Sequence, residues 1–226
     1  MRVNPKVKLA TERAIRTSAR KLFLRKGLAG TNTREIAVAA KVAAGTVFNY
    51  FPSKEALAVS IAAEAFDTGR ALAQERTLAA ESRPRTLDEH LFALIACDLR
   101  ALQPIRPFIA EVLESALSPF ATGDITPEAA AIRAERLEDA AEGLARFGLG
   151  DAASAAVMHL YWSLYLGVLS FWSADASPNQ EDSLALLDRA VRMFVAALQP
   201  AGAGGTPAVS EPTRGADESS ALEVRP

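Results

Sequence analysis

Apolar residues in this chain recur every three to four positions almost from end to end, and no run alternates with period two. That pattern fits amphipathic helices and leaves no half-buried strand, so the expected fold class is all-α. Ile15, Ala19, Leu22 and Phe23 share one face of a helix over 7–26, with Arg13, Arg16, Arg20 and Lys21 on the other. Gly27 then suits a left-handed C-terminal residue, and Arg25 and Lys26 suit the negative end of the helix dipole. Asn32 with Glu35 three residues on makes a capping-box pattern for a short second helix, whose inner face is Ile36, Ala37 and Ala40. A third helix over 43–50 is stopped by Pro52. Ser53 caps a long one over 54–80, with Leu57, Ile61 and Phe66 buried. Further helices are predicted at 86–102, 104–117, 127–147, 151–173 and 180–198, about nine in all, between breaks at Pro84, Pro104, Pro119, Gly123, Gly148, Gly150 and Pro178. From Pro200 the composition turns to Gly, Ala, Pro, Ser and Glu without periodicity, and 199–226 is expected to be a disordered tail.

Charge divides the chain. Residues 1–54 carry twelve Lys/Arg against two acids, Glu12 and Glu35, a net +10, while the remainder carries −12. A basic head on an acidic body points to a polyanion partner for the head alone. Within that head, "KVAAGTVFNYFPSKEAL" over 41–57 crowds glycine, threonine, aromatics and lysine into one short joint. Two short helices around a tight turn, the second abruptly stopped, are the layout of a helix-turn-helix reader. Val47 and Phe51 are the expected inward anchors, against Ile36, Leu22 and the start of the long helix. Ala44, Gly45, Thr46, Phe48, Asn49 and Tyr50 are left for the outside or rim, where small residues admit close approach and Thr, Asn and Tyr offer hydrogen bonds to phosphates and base edges. Lys54 lies in the first turn of a helix, where the dipole disfavours a cation, so a nearby phosphate is its expected partner.

With "TSARKLFLRKG", "TNTREIAVAA" and "GTVFNYFPSKEAL" in order, residues 9–57 resemble the DNA-binding domain of the TetR family of transcriptional repressors. The last motif matches the family pattern at Gly45, Thr46, Val47, Tyr50, Phe51, Lys54, Glu55 and Leu57. Lys41 stands where the family usually has the turn glycine, implying a left-handed lysine or a redrawn turn. Ala43 replaces the usual capping Ser/Thr of the third helix, and Phe48 replaces a common tyrosine. The resemblance implies a helix-turn-helix domain over 1–54 followed by a helical ligand-binding and dimerisation domain over 55–198. The expected function is a cytoplasmic, homodimeric regulator that binds a palindromic double-stranded operator and is released by a hydrophobic small molecule. A ligand-independent DNA-binding protein or an activator is the alternative. Thr33, Arg34, Lys41, Ala44, Gly45, Thr46, Phe48, Asn49, Tyr50 and Lys54 form the expected DNA-contacting set.

The body carries no catalytic or metal signature: no phosphate loop, no Gly-x-Ser-x-Gly elbow and no Cys/His cluster at metal spacing, so no enzyme, cofactor or metal site is expected. His90, Cys97 and His159 are isolated and read as packed residues rather than a sensor site. The one cysteine excludes an internal disulfide framework and fits a reducing compartment. The N-terminus lacks a secretory apolar core, and the most apolar stretch, Val157 to Trp172, is broken by His159, Ser163 and Ser170, so it reads as a buried helix rather than a membrane span. Phe92, Ile95, Phe108, Val112, His159, Trp162 and Ser163 are the candidates for a ligand cavity, with Gln103, Arg106 and Glu111 as nearby polar groups. Arg106 is read first as a surface ion pair and second as a ligand carboxylate partner. Tyr165, Leu169, Leu187, Val191 and Phe194 are the candidates for a dimer interface through the last two helices.

Overall fold

A computed structural model describes residues 5–79, 83–118 and 126–198, and these are folded into helices and turns alone. Helix α1 spans Pro5–Lys26, α2 Thr33–Ala40, α3 Ala44–Tyr50 and α4 Lys54–Leu78. They are followed by α5 Leu87–Leu102, α6 Arg106–Val112, α7 Pro127–Arg146, α8 Ala155–Ala174 and α9 Glu181–Leu198. The predicted tail lies outside the described residues.

Side-chain caps, of which Asn32 and Ser53 were expected, explain most boundaries. Asn32 Oδ1 accepts from Glu35 N at 2.9 Å and Glu35 Oε2 accepts from Asn32 N at 3.2 Å, closing both halves of the capping box. Ser53, Thr86, Thr126 and Ser154 accept from the third backbone N–H of α4, α5, α7 and α8. Gly27 takes φ +74 at the end of α1.

Two boundaries differ from the sequence reading. The single helix expected over 104–117 is three pieces: a 3₁₀ turn at Gln103–Ile105, α6, and a π-helical turn at Leu113–Leu117. Pro104 and Pro107 each lack an N–H, so the i→i−4 ladder cannot start before Arg106. Helix α8 starts at Ala155 rather than 151, because Gly150–Ala152 forms a separate 3₁₀ turn ahead of the Ser154 cap.

Helix α4 runs from head to body. Its N-terminal half, Ala56 to Ala62, is buried on every side, and Phe66 continues the stripe into the body. There α4 lies along α5, with α7 crossing it and α8 and α9 closing the far side of α5. The α4–α5 approach depends on Gly69, where a Cβ would stand 2.2 Å from Asp98 Oδ1 and 2.9 Å from Asp98 Cα. Asp98 is itself buried, pairs with Arg136 Nε at 2.9 Å and accepts the Tyr165 hydroxyl at 2.7 Å. Arg136 adds bonds to Phe66 O at 2.7 Å and Asp139 at 3.2 Å, which ties α4, α5, α7 and α8 at one point. Burial pushes the Asp98 carboxyl up to about 6, against the opposing pull of Arg136 and Tyr165.

Candidate nucleic-acid interface and interior hollow

Seven residues are too few to hold a helix alone, so α3 depends on its anchors. Val47 and Phe51 are 1% and 6% exposed, within the core that holds Leu22, Ile36 and Leu57. Arg16 covers the Phe51 ring at 5.8 Å and bonds to both Glu12 and Glu64, pinning α1 to α4. On the outward side Ala44, Gly45, Phe48 and Asn49 are exposed, while Thr46 and Tyr50 are half-buried at the rim. A Cβ added at Gly45 would meet nothing within 4 Å, so this face lies open. Thr33 is half-buried and Arg34 exposed in the first turn of α2. Lys41 is exposed and takes φ 57, ψ 41: the lysine adopts the left-handed turn, and its N–H closes onto the α2 carbonyls of Ala37 and Val38. Ala43 gives α3 no side-chain cap. Arg13, Arg20, Lys21 and Arg25 are exposed along α1, whereas Lys26 is paired with Glu35.

Lys54 has a different partner from the phosphate expected of it. Its ammonium donates to the carbonyls of Leu28 at 2.9 Å, Thr31 at 3.3 Å and Ala29 at 3.4 Å. These are the orphan acceptors of the α1–α2 turn, and the lysine is half-buried against them. From the opposite side the Glu111 carboxylate of α6 accepts from Ala29 N at 3.2 Å and Leu28 N at 3.4 Å. The turn is thus held between a cation from α4 and an anion from α6. Beside it the Phe23 and Phe108 rings meet edge to face at 5.4 Å, joining head to body.

The predicted cavity residues are not brought together. Ile95, Phe108, Val112 and Trp162 are packed in the core at 0–1% exposure. His159 and Ser163 face out of α8, with the Ser163 hydroxyl donating to His159 O. Phe92 instead lines a surface cleft with Arg76, Arg83 and Arg85. Glu111 serves the head turn, and Gln103 bonds the Gln180 amide. Arg106 makes no ion pair among the described residues: it donates to the carbonyls of Trp172 and Asp175 and stacks over the Trp172 ring, capping the end of α8.

The interface candidates need the same correction. Tyr165, Leu169, Leu187, Val191 and Phe194 are all 4% exposed or less within a single chain, so they are core. The outer faces of α8 and α9 carry Leu160, Phe171, Leu184, Leu186 and Met193 at 36–65% exposure. Helix α8 has the length and apolarity of a membrane span, yet Tyr161, Trp162, Tyr165, Val168, Leu169 and Trp172 pack it against the body. It is therefore buried on one face rather than all round. Apolar residues on both faces hid this division from periodicity.

A hollow of about 470 Å³, missed in the sequence, opens between α4, α5 and α7. Its walls include Arg70, Ala73, Thr77, His90, Leu94 and Arg146. Burial, then Arg146, hold the His90 imidazole below its ordinary value, so it is neutral at neutral pH. Cys97 is buried nearby on α5, its thiol pushed up by burial, and no His/Cys/Asp/Glu group able to hold a metal occurs among the described residues.

Residues 15–61 match the family model described as "Bacterial regulatory proteins, tetR family". No curated protein matches the chain. Among solved structures, a TetR transcriptional regulator from Rhodococcus sp. RHA1 is 18% identical with a TM-score of 0.63, covering 85% of this chain and 99% of that one. Thermus thermophilus FadR, a TetR family transcriptional repressor solved with lauroyl-CoA, is 22% identical with a TM-score of 0.60, covering 86% and 100%. The TetR regulator from Nitrosomonas europaea ATCC 19718 is 20% identical with a TM-score of 0.55, covering 81% and 97%. The matched segment ends inside α4, beyond α3 and its exposed face, so the head matches the model of the tetR family of bacterial regulatory proteins, and the chain has the fold of these solved TetR regulators.

Proposed function

We propose that the protein is a homodimeric transcriptional repressor that binds a palindromic operator through α3 and is released when a small molecule occupies the hollow between α4, α5 and α7. The observation that carries this is α3 itself: anchored by Val47 and Phe51, it leaves Gly45, Phe48 and Asn49 uncovered on a head of net +10. A helix so presented enters a major groove, where Asn49 and Thr46 meet base edges and Phe48 meets a thymine methyl. Arg34, Lys41 and the α1 arginines supply phosphate contacts, with Thr33 and Tyr50 at the rim.

Dimerisation is supported by the uncovered apolar residues of α8 and α9, a surface that an isolated chain would leave wet. Release is supported by position. Helix α4 carries Lys54 at one end and the hollow's Arg70, Ala73 and Thr77 at the other, so a ligand that favours one setting of α4 also favours one spacing of the heads. A domain boundary near residue 54 follows from the same division, although α4 itself is continuous across it. The likeness to solved TetR regulators supports a regulatory role rather than an enzymatic one, with the cytoplasm as the proposed compartment.

The test is selection of host genomic fragments by the purified full chain at physiological salt. One dominant palindrome, lost on Asn49→Ala, is expected. Retention that shows no preferred sequence and vanishes on modest salt addition would overturn the reading.

A further inference from the structure

The hollow has an inner chamber. Arg70, Ala73, Leu94 and Asp139 line it on one side and, on the other, a space of about 10 Å³ bounded also by Asp98, Arg136 and Tyr161. That is room for about one water or one hydroxyl. Two polar side chains along this route are more than nine-tenths buried and lack partners. Tyr161 is 1% exposed and its hydroxyl makes no hydrogen bond among the described residues. His90 is 8% exposed and equally unbonded, its Nδ1 shut off completely. Native interiors rarely leave such groups unpaired, and each one left so costs about 1–3 kcal/mol.

The charged groups nearby are already committed. Arg70 holds Asp139 at 2.8 Å and Glu138 at 3.5 Å, and Arg136 holds Asp98 and Asp139. Asp98 has the Tyr165 hydroxyl as well. At the mouth Arg146 and Glu142 are exposed and of opposite sign, so the lining's formal charges cancel. A charged head carried inward past the mouth would lose its hydration among ions that are already paired, whereas a neutral head would give the Tyr161 hydroxyl the partner it lacks.

We propose that this site takes an uncharged, largely apolar molecule of the alcohol, phenol or ketone class, its polar head toward Tyr161 and His90 and its apolar body along Ala73, Leu78 and Leu94. The site keeps its own two groups neutral: burial holds the Tyr161 phenol protonated, with Asp98 adding to it, and burial holds the imidazole unprotonated. The inference rests on the hollow being the effector site, and its test separates the two.

Full-length protein is titrated calorimetrically with naphthyl, biphenyl and decyl compounds, each as the alcohol, the carboxylate and the ammonium. At least one alcohol is expected to bind tenfold or more tightly than its charged counterparts. Tyr161→Phe, which keeps the ring's packing, is expected to weaken that alcohol at least fivefold. Equal or tighter binding of a carboxylate or ammonium, an unchanged Kd in Tyr161→Phe, or no binding across all nine compounds overturns the proposal. Operator release is measured separately with the same compounds. An alcohol that binds as expected without releasing operator refutes the release mechanism and leaves the ligand class standing.

Discussion

Replacing Lys54 by methionine distinguishes a lysine that holds the head together from one that grips DNA. The substitution keeps the aliphatic stem and removes the ammonium, leaving the carbonyls of Leu28, Ala29 and Thr31 without their donor. One of the three bonds is short, at 2.9 Å, and two are long, at 3.3 and 3.4 Å. The site is half-buried, so water recovers part of the loss. A charge-assisted bond contributes about 1.5–3 kcal/mol, and the expected total is of that order rather than three times it. For a chain of this size that is a fall of about 3–12 °C in Tm, read by calorimetry. DNA affinity will also drop as the head loosens, so affinity alone decides nothing. Salt dependence does. Each phosphate contact adds about 0.9 to the slope of log K against log salt, so a lysine on a phosphate in each subunit would carry about 1.8. The expected result is a lowered Tm with the slope unchanged. An unchanged Tm with the slope reduced by about 2 would refute the reasoning.

Gly69→Ala is expected to cost about 2–3 kcal/mol in urea unfolding, because its Cβ meets the Asp98 backbone at 2.9 Å and rigid helices must part to admit it. The Asp98 carboxyl, raised to about 6 in the folded state, takes up its proton there more readily than in the unfolded chain. Its contribution to stability is therefore full at low pH and lost as pH rises through about 4 to 6, an effect of the order of 2–3 kcal/mol. Unfolding of Asp98→Asn followed from pH 4 to 7 should show that pH-dependent increment removed relative to the parent. Phe194→Ala is expected to lower stability by about 3 kcal/mol, since the ring is 4% exposed within one chain. Met193→Glu, at 65% exposure, should instead shift sedimentation equilibrium toward monomer with unfolding of the monomer unchanged.

What the sequence made legible was local. The capping box at Asn32 and Glu35, the Ser53 cap and the Gly27 stop each lie within a few residues of what they govern, and the first four helices follow from them. The anchors Val47 and Phe51 were legible for the same reason: they lie four residues apart, one on a short helix and the other just past its end. The partners of Lys54 and Glu111 were not. They sit 23–26 and 82–83 residues away along the chain, and backbone acceptors and donors have no signature in sequence. Misassigning the core of α8 and α9 as interface had a different cause. Periodicity identifies a buried face by contrast with a polar one, and α8 has Leu160 and Phe171 on one side and Trp162 and Tyr165 on the other. The hollow escaped because its walls come from α4, α5 and α7, while the sequence drew attention to the aromatic helix α8.

The seam between head and body follows a common logic with the hollow. At the α1–α2 turn, Lys54 and Glu111 engage backbone groups rather than each other, so each ion has more than one partner within reach. A direct salt bridge would fix one distance; carbonyls and amides along a turn offer several, at 2.9 to 3.4 Å here. Deeper in the body the opposite holds. Asp98, Arg136 and Tyr165 are fully buried, and Gly69 leaves no room for α4 to slide over α5 at that level. The α4 movement that the proposed release requires is then a tilt about the Gly69–Asp98 contact, with the hollow's Ala73 and Thr77 beyond it and Lys54 four turns before it. Under the proposed release, a small displacement at the hollow becomes one of opposite sense at the head, taken up at the turn that Lys54 and Glu111 hold.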